Sequence, residues 1–219
     1  MKKANLFHLG ALVIGIAAHS ATAYSTVVLQ GGPYQNGIGG EWTATLGGTV
    51  VEGLPAGMTF QTFCLKYTDL LAFGAIDYAD LDTGANLGGA GGYRPIPLDP
   101  RVAWLYNEFL NQTLAGYDFT GPARYDCAGQ LQSAIWYLEN EITCLESGSP
   151  AEQFVQMAEA ADWDSIHDIR VLTLYGDVKH DLYRQDILCR IIVAPVPGAL
   201  VMVGLGVLLT RRLRRRHLS

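Results

Sequence analysis

The stretch DCAGQLQSAIWYLENEI, residues 126–142, lies near the middle of the chain and carries a helical pattern. Asp126 is a favourable N-cap residue. Apolar residues recur after it at the spacing of one helix face: Leu131, Ile135, Leu138 and Ile142. We therefore expect a helix from Asp126 to about Leu145, with its apolar face against the core.

Two further helices are predicted on either side of this stretch. Residues 101–114 place Val102, Leu105 and Phe109 on one apolar stripe, as in an amphipathic helix. Residues 149–152 combine a serine cap, a proline at the first helical position and a glutamate three residues after the cap. The third helix should bury Phe154, Met157, Ala158 and Ala161.

The chain before and after these helices is predicted to form sheet. Short β-like runs are Ser25 to Gln30, Glu41 to Val51, Met58 to Tyr67, Val171 to Tyr175 and Ile187 to Val193. The segment from Asp80 to Pro100 is rich in Gly, Asp and Pro and is predicted to be a long loop. The expected fold is therefore one mixed α+β domain, a β-sandwich or barrel-like sheet with a helical insertion.

The first 23 residues have the layout of a secretory signal peptide. Lys2 and Lys3 precede an apolar run from about Leu6 to Ala18, and Ala21 and Ala23 supply the small residues of a cleavage site after Ala23. An uncleaved anchor is the alternative, but the apolar run is shorter than the ~20 residues that span a bilayer.

The last 25 residues are predicted to be a short membrane span. Pro195 and Pro197 precede an apolar stretch from Gly198 to Leu209. Basic residues crowd the end of the chain: Arg211, Arg212, Arg214, Arg215 and Arg216. The positive-inside rule keeps these arginines in the cytoplasm, so the domain before the span should face outward.

This C-terminal layout resembles the PEP-CTERM sorting tails, which an exosortase recognises and removes. Residues 196–199, Val-Pro-Gly-Ala, stand where that family usually has Pro-Glu-Pro, so this tail is similar to a proline–glycine variant. The resemblance implies an exported protein that resides in the inner membrane during sorting and then at the cell surface or in the extracellular matrix. A plain tail anchor is the alternative.

The charge of the region between the two ends excludes one class of partner. The chain has 15 basic and 21 acidic residues, and seven of the basic ones lie in the two terminal segments. Residues 24–194 therefore carry 8 basic and 21 acidic side chains, a net charge of about −13. Such an acidic domain does not bind nucleic acid by neutralising phosphates.

The chain has four cysteines, and in an exported protein these could form disulfides. On one helix, Cys127 and Cys144 would lie ~25 Å apart, beyond the ~7 Å Cα separation that a bridge allows. A bridge from Cys189 to either of these two residues stays possible, with Cys64 left over.

Three short blocks resemble the thioester domains of bacterial surface adhesins. They are residues 62–65 (Thr-Phe-Cys-Leu), 103–107 (Ala-Trp-Leu-Tyr-Asn) and 131–136 (Leu-Gln-Ser-Ala-Ile-Trp). Similar blocks occur in PEP-CTERM proteins. The resemblance implies that Cys64 is the thiol and Gln132 the acyl donor of an internal thioester. Leu131 stands where the adhesins usually have threonine before the glutamine.

The chemistry of such a pair is covalent attachment. A thiolate held against the Gln132 carbonyl could displace ammonia, and a surface amine could then displace the thiol. Phe63, Ile135 and Trp136 would exclude water and slow hydrolysis. A bond formed once is not turnover, so we expect no enzyme, and no cofactor or metal.

Two other functions are compatible with the same fold. One is a non-reactive structural or matrix protein, in which Gln132, Trp136 and Cys64 are ordinary buried residues. The other is a carbohydrate-binding module, for which exposed aromatic residues would be the platform: Tyr34, Trp42 and Tyr93.

Overall fold

A computed structural model describes residues 24–36, 39–48, 53–68, 73–86 and 96–192. The predicted signal peptide (1–23), the sorting tail (195–219) and Tyr93 lie outside these residues. No helix within the described ranges is long and apolar enough to cross a membrane.

Eight strands form two antiparallel sheets in this part of the chain. They are β1 (Ser25–Asn36), β2 (Gly39–Gly48), β3 (Thr59–Thr62), β4 (Ile76–Asp82), β5 (Gly84–Ala85), β6 (Ile96–Pro97), β7 (Ile169–Tyr175) and β8 (Tyr183–Arg190). The main sheet has the order β3-β2-β1-β4-β7-β8, and β5 pairs with β6. The predicted loop from Asp80 was wrong at its start, because β4 continues to Asp82 in register with β7.

The main sheet curls so that its two edge strands meet. After β3 ends at Thr62, Cys64 forms an isolated bridge with Ile187 of β8. The Leu188 N–H donates to the Phe63 carbonyl at 3.1 Å, and the Leu65 N–H donates to the Asp186 carbonyl at 2.9 Å. The result is a curled antiparallel sheet, a half-barrel whose edges join at the Cys64 segment.

Three helices lie between β6 and β7: α1 (Pro100–Asn111), α2 (Arg124–Leu138) and α3 (Pro150–Ala160). The cap predicted for α3 is confirmed, since the Ser149 side chain accepts from the Glu152 N–H at 3.2 Å. The stripe predicted for α1 is also confirmed, with Val102, Leu105 and Phe109 buried.

The predicted ends of α2 were wrong. The helix begins at Arg124, so Asp126 lies in its first turn, and the N-cap position is Ala123, which makes no side-chain cap. It ends at Leu138 instead of continuing to about Leu145. Asn140 adopts a left-handed φ of 59°, which stops the helix. The Glu141 carboxylate then contacts Lys66, which follows the Cys64 segment.

The buried apolar residues form two clusters, one on each side of the sheet. One joins the three helices to the sheet and contains Phe63 and Leu65. The other lies on strands of the curled sheet and contains Ile187. The Cys64 segment therefore lies where the helical layer and the closing edge of the sheet meet.

Candidate functional site

The candidate site is built on the backbone of Cys64. Successive backbone groups of a strand point to opposite edges, so the residues on either side of Cys64 bond to β8 and Cys64 itself faces away from β8. Strand β2 reaches this level of the sheet but does not pair with Cys64. The register of β2 with β3 ends where Trp42 lies opposite Thr62, and two further residues would have placed Gly40 opposite Cys64.

The carboxamide of Gln132 takes the place of that missing backbone pairing. The Cys64 N–H donates to Gln132 Oε1 at 3.2 Å, and Gln132 Nε2 donates to the Cys64 carbonyl at 2.7 Å. Gln132 is fully buried near the middle of α2. The structure therefore places the two residues of the predicted pair in direct contact, with the glutamine side chain hydrogen-bonded at both ends.

Gly39, at the start of β2, covers the aliphatic part of Gln132. A Cβ atom at residue 39 would overlap Gln132 Cγ and lie 2.8 Å from Cη2 of Trp136. Only a residue without a side chain lets β2 approach α2 this closely. Gly39 was not among the residues singled out in the sequence, since a glycine in a glycine-rich turn carries no local sign of a distant contact.

The three apolar residues predicted to surround the site are all buried. Phe63 packs edge-to-face against Phe109 with the ring centroids 5.0 Å apart. Trp136 lies one helical turn after Gln132, and the half-exposed ring of Tyr67 packs edge-on against it at 4.9 Å. Trp136 and Tyr67 therefore form an aromatic pair next to Gln132, with Trp136 buried and Tyr67 at the surface.

Burial also affects the acidity of the Cys64 thiol. Desolvation raises the pKa of this thiol far above its ordinary value. The resting side chain is therefore a neutral thiol, which is a much weaker nucleophile than a thiolate. For Cys64 to react, its proton must pass to a nearby base, or to solvent after an opening motion exposes the thiol.

A buried ion pair lies two residues further along the chain. Lys66 Nζ is 2.9 Å from Glu141 Oε1, and both side chains are at most 5% exposed. The second oxygen of Glu141 accepts from the Tyr67 N–H at 3.3 Å. Glu141 thus holds the two residues that follow the Cys64 segment, and it lies just beyond the helix that carries Gln132.

A second glutamine repeats the arrangement of Gln132. The Lys66 N–H donates to Gln185 Oε1 at 3.0 Å, and Gln185 Nε2 donates to the Lys66 carbonyl at 3.2 Å. Sequence reasoning found neither Gln185 nor the Lys66–Glu141 pair. Both depend on contacts between residues far apart in the chain, and no local pattern marks them.

The end of α2 near Arg124 is anchored to β2 by a polar group. Glu41 is fully buried and accepts two hydrogen bonds from Arg124, at 2.8 and 2.7 Å. The Tyr117 hydroxyl donates to the same carboxylate. The Arg124 guanidinium lies 4.3 Å from the ring centroid of Tyr34. This anchor and the Gly39 contact together set the distance between α2 and β2.

All four cysteines are free thiols. Cys144 is exposed, whereas Cys127 and Cys189 are buried in different places, beside the Gly116 carbonyl and in the sheet cluster. The bridges left open for Cys189 are not formed. The earlier distance between Cys127 and Cys144 assumed one continuous helix, and that premise was wrong because α2 ends at Leu138.

Of the three aromatic residues predicted for a carbohydrate platform, the two within the described ranges are not freely exposed. Trp42 is only 5% exposed and is covered by Phe73, whose ring stacks on it at 4.7 Å. Tyr34 is partly buried beneath Arg124.

The chain matches no family model, no curated protein and no solved structure.

Proposed function

We propose that this chain is an exported, surface- or exopolysaccharide-associated protein that attaches covalently to amines through an internal thioester between Cys64 and Gln132. In this proposal residues 24–194 are an extracytoplasmic domain of the thioester-adhesin type, with its barrel-like sheet and helical insertion. The observation that carries the proposal is the buried Gln132 carboxamide held on the backbone of Cys64.

The contacts of the carboxamide suit the chemistry of bond formation. The Cys64 thiolate attacks Cδ of Gln132, and negative charge develops on Oε1, which already accepts the Cys64 N–H. The carbon–nitrogen bond then breaks, and the nitrogen leaves as ammonia with the proton given up by the thiol. A target amine later attacks the same carbon, forms an amide and releases the Cys64 thiol.

A second candidate is supported by the same two hydrogen bonds. The carboxamide satisfies an N–H and a carbonyl of Cys64 that strand β2 does not pair with, which is a sufficient structural reason for a buried glutamine. Under this alternative the chain is a non-reactive surface or matrix protein, and Gln132 remains an amide.

Covalent capture separates the two candidates. The purified domain is incubated with beads that carry primary amines, and the beads are boiled in SDS under reducing conditions. The proposal expects retention of the wild type and of Cys144→Ala, which changes an exposed thiol outside the site. It expects no retention of Cys64→Ala or Gln132→Ala. Equal retention of all four proteins would show that the attachment does not use this site.

Export and sorting are part of the proposal and depend on the two ends of the sequence. N-terminal sequencing of the protein recovered from cells should begin at Tyr24. Removal of residues 195–219 should release the domain from the membrane fraction. A chain that keeps Met1 and stays in the cytoplasm would contradict the proposed location.

A further inference from the structure

A thioester at Gln132 would have a buried amine of the same chain close to it. Lys66 and Cys64 are two residues apart, so their Cα atoms are separated by at most ~7 Å. The Lys66 ammonium ends a flexible four-carbon stem. The effective concentration of a tethered amine far exceeds that of an amine in solution. Any internal thioester in this chain must therefore survive beside the Lys66 amine.

The structure holds that amine in an ion pair. Lys66 Nζ contacts Glu141 Oε1 at 2.9 Å, and the two side chains are 5% and 2% exposed. The pair joins the strand segment of Cys64 to the chain just after α2, which carries Gln132. The Glu141 N–H also donates to the Trp136 carbonyl at 2.8 Å, which fixes its position relative to the site.

We propose that Glu141 protects the thioester by holding the Lys66 ammonium in an ion pair, turned away from Gln132. This inference rests on the proposed function. An ammonium has no lone pair and cannot attack a carbonyl, whereas a neutral amine can. Glu141 acts on the reaction only through Lys66, so it is a positioning residue.

Two other carboxyl groups, Asp186 and Glu139, belong to the same buried cluster as the Lys66–Glu141 pair. Lys66 acts electrostatically on Asp186, and Glu139 lies near both Asp186 and Glu141. Burial raises the pKa of Asp186 and of Glu139, the latter to about 7. Removal of the Glu141 charge breaks the 2.9 Å ion pair that fixes the Lys66 side chain, so the amine can turn towards Gln132 and attack once it gives up a proton to solvent.

The neutral amine would cross-link the chain to itself. Lys66 Nζ attacks Cδ of the Gln132 thioester, the carbon–sulfur bond breaks, and the proton from nitrogen passes to sulfur. The products are a Lys66–Gln132 amide and a free Cys64 thiol. The mass does not change in this step, so the product keeps the deficit of one ammonia but no longer takes up methylamine.

The test compares Glu141→Gln with the wild type by peptide mapping after methylamine treatment. We expect the wild type to carry methylamine on Gln132. We expect Glu141→Gln to carry the Lys66–Gln132 cross-link, with at least about tenfold less methylamine incorporation. Glu141→Asp keeps the charge and is the matched control for a change in side-chain shape.

A double variant distinguishes the proposed cross-link from a folding defect in Glu141→Gln. Lys66→Arg with Glu141→Gln replaces the nucleophile by a guanidinium, which stays charged. This double variant should regain methylamine incorporation and show no cross-link. If Glu141→Gln is folded and keeps full methylamine incorporation, or if the double variant shows the same loss as the single one, the protective role is overturned. A wild type without any ammonia deficit would instead overturn the thioester itself.

Discussion

Gly39 lies so close to Gln132 that a Cβ atom at residue 39 would overlap the glutamine side chain. The same atom would lie 2.8 Å from the indole of Trp136. Strand β2 and helix α2 are therefore in contact at the residue that carries the carboxamide. This contact makes the position of Gln132 sensitive to a change on a different element.

Gly39→Ala should impair the site. The added methyl group must push Gln132 or β2 aside, which typically costs about 1 to 3 kcal/mol in a well-packed core. We expect methylamine incorporation to fall by about tenfold, because small misplacements of reacting groups have large kinetic effects. Gly31→Ala on β1 is the control, since the nearest atom to its added Cβ would be 3.4 Å away, on the partly buried side chain of Gln35. Equal incorporation by the two variants would contradict this role of Gly39.

Glu139→Gln should stabilise the domain, and more so at high pH. Burial raises the pKa of Glu139 from 4.5 to about 7, against the smaller opposing effect of its hydrogen bond from the Asp99 N–H. The folded state thus binds a proton more tightly than the unfolded state. The stability that this provides is fully present below pH 4.5 and is lost as pH rises through 7. Glutamine keeps an oxygen for the Asp99 N–H but never ionises.

Urea unfolding at pH 5 and pH 8 measures this difference. We expect a gain for Glu139→Gln on the order of 2 to 3 kcal/mol at pH 8 and a much smaller gain at pH 5. The same gain at both pH values would mean that burial does not destabilise the ionised Glu139 carboxylate.

Arg124→Met should weaken the anchor between α2 and β2. It leaves the fully buried Glu41 with the Tyr117 hydroxyl as its remaining partner among the contacts described above. Loss of one member of a buried ion pair typically costs about 3 to 5 kcal/mol, and the partial exposure of Arg124 places our expectation near the lower value. Glu41→Gln in the same chain should recover part of this loss. A double-mutant cycle by denaturant unfolding checks both statements, and strict additivity would argue against a coupled pair.

Thiol labelling of the native protein should reveal one fast cysteine. Cys144 is exposed, whereas burial raises the pKa of the Cys189 thiol and of Cys64 wherever Cys64 is not bound in the thioester. Because the thiolate is the reactive form, maleimide should modify Cys144 at least about tenfold faster than the buried thiols. Cys144→Ser should abolish the fast phase. A fast phase that persists in this variant would mean that a buried thiol is accessible.

Local patterns predicted the parts of the fold that depend on neighbouring residues. The Ser149 cap and the apolar stripe of α1 are examples, since both arise within one or two helical turns. The end of α2 was missed because the residues after Leu138 continue an apolar helical spacing to Ile142. The left-handed Asn140 and the attraction of Glu141 to Lys66 override that spacing.

The candidate site was predictable only in part. The resemblance to thioester domains named Cys64 and Gln132, and the structure places them in hydrogen-bonding contact. The covalent bond between them stays a prediction. Gly39 and Glu141 could not have been found from the sequence, because each acts on a helix or strand that is distant along the chain.

The intact mass of the freshly purified domain, measured under denaturing and reducing conditions, tests the central claim most directly. The thioester predicts a mass lower than the sequence by one ammonia. Treatment with methylamine before denaturation should add one methylamine and leave the protein one CH2 group heavier than the sequence, and Cys64→Ala should show neither change. A wild-type mass equal to that of the sequence, unchanged by methylamine, would contradict the thioester and leave Gln132 as a structural residue.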